Sequence, residues 1–167
     1  MKYCPLCKEE LIIDFLEDRE RLLCPAKECE YVHWDNPVPV VAAIVEYDGK
    51  VILANNAAWP DDKFALITGF LEQGESAEEG VLREVHEELG LIAEIEQFIG
   101  VYPFTKKNQV LIIYHVRASG EIKLNHELRA YKCVAKGELT YWDAGTGYAL
   151  RDWLQSQGFN PKLRPFR

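Results

Sequence analysis

Apolar residues recur along this chain with two different periods, and each change of period marks an element. Between Leu11 and Leu23 apolar and charged residues mix without a sustained period, which predicts a small hairpin-like module near the amino-terminal end. At Asn36 the texture changes. Pro37 and Pro39 predict a linker, and residues 40–46 then run apolar and β-branched, as a buried strand does. Asp48-Gly49 separates that run from a second one over 50–54 and has the composition of a two-residue hairpin turn. After a polar loop containing Trp59 and Pro60, a short strand is expected over 64–68, ending at Gly69.

A helical period begins at Ala77. Ser76, with Glu79 three residues on, has the form of a capping box, and Gly90 suits a helix stop, so a helix is predicted over 77–89. Strands follow over 92–101 and 109–117, with shorter ones at 121–124 and 131–134. A last helix is expected over 147–157, stopping at Gly158, and the tail beyond it, with Pro161 and Pro165, reads as irregular. Strands interrupted by one helix and closed by another predict an α+β fold, a mixed sheet with helices packed on its faces.

Composition narrows the function classes. With 167 residues, 48% of them hydrophobic, the chain can bury one main core and still carry a small accessory module. No run approaches the ~20 apolar residues of a membrane span. The start, Met1-Lys2-Tyr3-Cys4-Pro5, lacks the apolar core of a signal peptide, so a cytoplasmic protein without membrane contact is expected. A net charge of -8 argues against a nucleic-acid partner. Acidic side chains that hold divalent cations remain compatible with a phosphorylated substrate.

Four of the five cysteines, Cys4, Cys7, Cys24 and Cys29, crowd the start of the chain as two close pairs. Without a secretory signal, such pairs read as a metal site rather than as disulfides. Four thiolates around one tetrahedral Zn²⁺ would make a closed, structural site, and the ion would supply stability that so short a segment cannot draw from a core. Residues 1–35 are therefore assigned to a zinc ribbon and 36–167 to the main domain. The ribbon's many acids favour a scaffolding or dimer contact over nucleic acid. Cys133, alone in an apolar run, is expected in the core.

After Arg83 the acids Glu84, Glu87 and Glu88 fall at helical spacing. At about 100° per residue, Glu88 lies about 40° around the helix from Glu84 and Glu87 about 60° the other way, so all three share one face. Like charges this close repel. They form either an acidic solvent face or a set of ligands for hard divalent ions, Mg²⁺ or Mn²⁺, which bridge carboxylates to phosphate oxygens.

The whole segment, GFLEQGESAEEGVLREVHEELGL over 69–91, resembles the Nudix signature. Gly69, Glu75, Arg83, Glu84, Val85, Glu87, Glu88, Gly90 and Leu91 fill all of its fixed positions. The resemblance implies the Nudix fold, an α/β/α sandwich, and a pyrophosphatase in which a metal-activated water attacks a diphosphate. It makes Glu84, Glu87 and Glu88 metal ligands, adds the carbonyl of Gly69, and pairs Glu75 with Arg83 to hold the loop against the helix. For the general base it leaves two candidates, Glu87 and Glu127. His86 occupies a variable position of the signature and is expected in solvent, while His33, His115 and His126 default to structural or surface roles.

The ribbon ahead of this domain, and the stretch Gly69-Phe-Leu-Glu-Gln-Gly-Glu-Ser76, are similar to the NADH pyrophosphatase subgroup over residues 1–135. That implies a small-molecule substrate in which a nucleoside diphosphate is joined to a second group: NADH or NAD, ADP-ribose, or a similar dinucleotide. Where the subgroup carries Ser-Gln-Pro-Trp-Pro-Phe-Pro, this chain has Gly100-Val-Tyr-Pro-Phe-Thr and keeps only Pro103 and Phe104, which leaves the choice of substrate open. Trp59, Phe70, Tyr102 and Phe104 are candidates for stacking on a base or, equally, for the core. The subgroup is generally dimeric, so a homodimer is one possible assembly. Two other readings stand beside the enzyme. A non-catalytic nucleotide sensor that uses the ribbon to contact a partner is disfavoured by the complete set of acids, and hydrolysis of NAD-type capped RNA is disfavoured by the negative charge.

Overall fold

Two residues of positive φ, Asp48 and Gly49, turn the chain between its first two long strands, and the paired residues Tyr47 and Lys50 flank them directly. Both central residues being left-handed is the turn geometry that matches strand twist. The computed structural model describes residues 1–165, which form two compact units, one from Met1 to Asn36 and the other from Pro37 onward.

In the first unit, β1 (Ile12–Leu16), β2 (Arg19–Leu23) and β3 (Val32–His33) make an antiparallel sheet in that order. The β1–β2 turn is Glu17-Asp18, again with both φ values positive. It contains no glycine, which explains why residues 11–23 carry so weak a turn signal. Only Cys4 and Leu11 are buried among the described residues of this unit.

The second unit is built on β4 (Val38–Tyr47), β5 (Lys50–Asn56), β6 (Ile67–Phe70), β7 (Ile92–Phe104), β8 (Gln109–Ser119) and β9 (Leu128–Ala135). They form a mixed sheet in the order β7-β8-β4-β5-β9, with β6 also paired to β4; β4 and β8 run parallel and the other pairs antiparallel. Helix α1 (Ala77–Leu89) follows β6, and α2 (Thr146–Ser156) lies between the two short strands β10 (Thr140–Tyr141) and β11 (Lys162–Leu163).

Strand β4 is apolar on both faces because both are covered. Val40, Ala42 and Ile44 enter one core with Ala149, Leu150 and Trp153 of α2. Val41, Ala43 and Val45 enter the other with Val81, Val85 and Leu89 of α1, a spacing of four that keeps one helix stripe on the sheet. The architecture is thus the expected α/β/α sandwich, with one helix on each face.

Several boundaries differ from the sequence expectations. Pro39 is not linker but the second residue of β4; its carbonyl accepts from the Leu71 amide, so the missing N–H costs little at the strand's beginning. The strand expected over 64–68 begins at Ile67, with Ala65 contributing only an isolated bridge to Ala54. No strand forms over 121–124. Gly120, at φ 113, ends β8, and the amides of Lys123 and Asn125 then bond to the carbonyls of Leu89 and Glu88 at the end of α1. The tail carries β11, paired in parallel with β10. Cys133 is half-buried against the α1-side core, and His115 is buried with its Nε2 3.0 Å from Glu46.

Candidate active site

Local chemistry fixes where α1 starts and stops. The Ser76 hydroxyl accepts from the Glu79 amide at 3.2 Å while Glu79 Oε2 accepts from the Ser76 amide at 2.8 Å, a closed capping box. Gly90, left-handed at φ 69, donates its N–H to His86 and ends the helix.

The loop between β6 and α1 is then pinned by one side chain. Arg83 donates from Nε and Nη2 to both oxygens of Glu75, at 3.0 and 2.8 Å, and from Nη2 to the Phe70 carbonyl at 3.0 Å. Such a two-pronged pair fixes orientation as well as distance. It holds the Glu75 carboxyl down at about 2, with help from the Glu72 amide. Nη1 of the same guanidinium reaches Glu84 Oε1 at 2.7 Å and Glu87 Oε2 at 3.2 Å.

Gly69 is compelled by packing rather than by backbone angle. A β-carbon there would overlap the Glu84 carboxylate. Gly69→Ala is therefore expected to keep the secondary structure, as read by circular dichroism, yet to weaken Mn²⁺ binding by about tenfold or more, because Glu84 must swing away. Unaltered Mn²⁺ affinity in that variant would show that Glu84 need not sit against Gly69.

The three acids of the shared helix face have different surroundings. Glu88 is 7% exposed and its carboxyl is pushed up to about 8, first by burial and then by the charges of Glu84, Glu127 and Glu87. Burial also raises Glu84, against the opposing pull of Arg83. Glu87 remains largely in solvent, with its side chain 54% exposed, and turns toward Arg83. A buried carboxyl ringed by other carboxylates is a poor structural choice and a good cation site.

Glu84, Glu87, Glu88 and Arg83 line a cavity of about 630 Å³ together with Gly69, Phe70, Trp59, Phe104 and Glu127. It lies at the end of the sheet where β4 begins and β6 ends, and it draws on both helix layers. Tyr102 is not brought to it: the hydroxyl donates to Asp152 of α2 at 2.9 Å, and burial, then that bond, push its pKa up to about 12. Sequence reasoning overlooked Lys63, Lys107, Gln109, Trp142 and Thr146, which complete the wall. None of these carries a motif; they meet only because the loop before β6 and the beginnings of β8 and α2 come together beside the signature loop.

In the first unit the Sγ atoms of Cys4, Cys7, Cys24 and Cys29 all lie within 4.8 Å of one another, with Cys4–Cys29 at 3.6 Å and Cys7–Cys24 at 3.3 Å. Ligands about 2.3 Å from a tetrahedral Zn²⁺ stand about 3.8 Å apart, so the four thiols fit such an ion with small adjustments.

Fold and site together define an α/β/α sandwich with a cluster of acidic side chains at the end of its sheet. The family model for the NUDIX domain matches residues 36–154, and the chain belongs to the Nudix family. Among curated relatives it is 38% identical over 79 residues to the NAD-capped RNA hydrolase NudC of Mycobacterium bovis, covering 46% of this chain and 25% of that protein. It is 26% identical over 114 residues to the protein of the same name from Vibrio parahaemolyticus, covering 68% of this chain and 42% of that one. The chain thus matches less than half the length of either relative. Among solved structures it is similar to a NUDIX hydrolase from Nitrosomonas europaea, at a TM-score of 0.79 and 25% identity over 99% of this chain and 97% of that one. An ADP-ribose pyrophosphatase from Streptococcus suis shares the fold at a TM-score of 0.61 and 20% identity over 77% of this chain and 100% of that one. No helix among the described residues is long and apolar enough to cross a membrane.

Proposed function

We propose that this chain is a divalent-metal-dependent pyrophosphatase that opens the diphosphate linkage of a nucleoside diphosphate derivative, with NADH or NAD, ADP-ribose and similar dinucleotides as the substrate class. The observation that carries it is the placement of Glu84, Glu87 and Glu88 in the wall of a cavity that Trp59, Phe70, Phe104 and Trp142 also line. The names of the two curated relatives support a substrate of the NAD type. On this reading residues 36–167 are the catalytic domain and residues 1–35 a zinc ribbon whose four cysteines hold the ion structurally.

Glu84, Glu88 and Glu87, with the Gly69 carbonyl, would hold Mg²⁺ or Mn²⁺; their hard oxygens suit those ions. When bound, such ions neutralise charge on the phosphate oxygens and lower the pKa of water. The chain's own residues do the rest. Arg83 and Glu75 keep the signature loop rigid, so that the carboxylates meet the diphosphate already oriented. Glu87 or Glu127 takes the proton of the attacking water; both line the cavity. Trp59, Phe70 and Phe104 offer ring faces to a base.

Purified protein with Mg²⁺ or Mn²⁺ should release mononucleotides from at least one of NADH, NAD and ADP-ribose. Glu87→Gln should lower kcat by about 10²- to 10⁴-fold without loss of fold. No turnover of the whole panel by the wild type would overturn the hydrolase reading, and full activity in the variant would overturn the role of Glu87.

A further inference from the structure

Glu127 is held from two sides by groups that the roles above do not use. On one side stands Asn125. Its Oδ1 accepts from the main-chain amides of Glu127 at 2.9 Å and Leu128 at 3.3 Å, and its main-chain N–H donates to the Glu88 carbonyl at 3.2 Å. Lys123 donates likewise to Leu89 at 2.8 Å. The last carbonyls of a helix have no partner within it, so this segment is fastened to the groups α1 leaves open. Glu127 is thereby tied to the helix that carries Glu84 and Glu88.

On the other side stands the loop over 57–63, which brings Trp59 and Lys63 to the cavity. The Ala57 amide donates to the Glu127 carbonyl at 2.7 Å, and Arg129 Nη2 donates to the Ala57 carbonyl at 2.6 Å. Arg129 also pairs with Asp61 further along the loop. Asn55, fully buried, closes the loop from beneath: its Nδ2 donates to the carbonyls of Pro60 at 2.8 Å and Lys63 at 2.7 Å. All of this sits where the β5–β9 register shifts at Asn55 and Asn56. The shift leaves Arg129 as the extra residue of β9, and the Ala57–Glu127 bond continues from the Asn56–Leu128 pair.

We infer that Asn125 and Arg129 are positioning residues, which join the Trp59 loop, Glu127 and the end of α1 into one hydrogen-bonded strap. Contact of a ligand with Trp59 and placement of the Glu127 carboxylate beside the acids are then coupled. A substrate whose base fills the Trp59 wall sets the Glu127 side of the centre as it binds, so recognition and turnover are linked through the backbone of 57 and 127. The inference rests on the pyrophosphatase reading, in which Glu127 belongs to the reacting centre.

The test uses the full chain with Mg²⁺ and with NADH and ADP-ribose as probes. Asn125→Ala should lower kcat by about tenfold with KM within about twofold. Asn125→Ser should recover part of the loss, because a hydroxyl can accept in the same turn. A purely structural role would lower the melting temperature and leave kcat per folded molecule unchanged. Trp59→Ala and Glu127→Gln, combined, should be non-additive in kcat/KM by about fivefold or more, and additive within about twofold once Arg129→Ala is present.

Additivity in the wild-type background, or coupling that survives Arg129→Ala, would overturn the inference. Amide exchange with ADP-ribose in EDTA separates the two claims. Ligand should protect residues 57–63 and also 127–128 in the wild type, but only 57–63 in Arg129→Ala. Protection confined to the loop in the wild type would sink the strap while leaving the hydrolase standing. Failure to hydrolyse NADH, NAD and ADP-ribose alike would sink the hydrolase reading, and the exchange pattern would still decide the coupling.

Discussion

Glu88→Gln is expected to make the metal-free protein more stable above pH 7 while removing metal-dependent hydrolysis. Glutamine keeps the shape and drops the charge. In the wild type the Glu88 carboxyl is buried beside Glu84, Glu127 and Glu87, and its pKa stands near 8 instead of 4.5. A carboxyl whose folded pKa is raised holds its proton in the native state over a range where the unfolded chain has released it. Stability of the metal-free wild type therefore falls as pH rises from about 5 to about 8, by on the order of 4 kcal/mol. The variant has no such titration. In EDTA its melting temperature should overtake that of the wild type by about 10 °C across the window. Added Mn²⁺ should restore the wild type alone, because only an ionised carboxylate gains from the cation. Parallel melting curves for the two proteins from pH 5 to 8 would refute the placement of Glu88 as a buried acid awaiting a cation.

Stripping zinc should be as consequential for the first unit. With only Cys4 and Leu11 buried among its described residues, β1, β2 and β3 have almost no core to hold them. A structural Zn²⁺ contributes roughly 10–16 kcal/mol in finger peptides, far more than two buried side chains supply. The protein as purified should contain one zinc per chain by elemental analysis. A strong chelator under reducing conditions, or Cys24→Ser, should abolish amide protection over 12–33 while leaving that of β4, β5 and β8 intact. Protected amides in a chain shown to be free of zinc would mean that the cysteines are not what folds this unit.

Features whose cause lies within a few residues were open to reading in advance. The caps at Ser76 and Gly90 bound α1 at the expected positions, and the Asp48-Gly49 turn closed the expected hairpin, because each is satisfied by its own neighbours. The apolar run at β4 also marked a buried strand, although what covers it is remote: alternate residues enter the two cores beneath α1 and α2. Where the partner is remote, local pattern misled. Residues 121–124 looked like a strand, yet the Lys123 amide, like that of Asn125 just beyond, is claimed by an open carbonyl of α1. Tyr102 and Phe104 looked alike, but Asp152 on α2 took the Tyr102 hydroxyl while Phe104 lines the cavity.

By itself the order of residues settled the signature helix, its caps and the spacing of its acids, which depend on contacts short in sequence; it also displayed the two cysteine pairs, whose thiols meet across 17 and 25 residues. Only the tertiary structure decided that Glu88 is buried while Glu87 is not, that Arg83 reaches both Glu75 and Glu84, and that Trp59, Trp142, Thr146 and Glu127 share one cavity. A helical period can assign a side chain to a face. What that face meets is set by the strands and loops packed on it, and these arrive from distant parts of the chain.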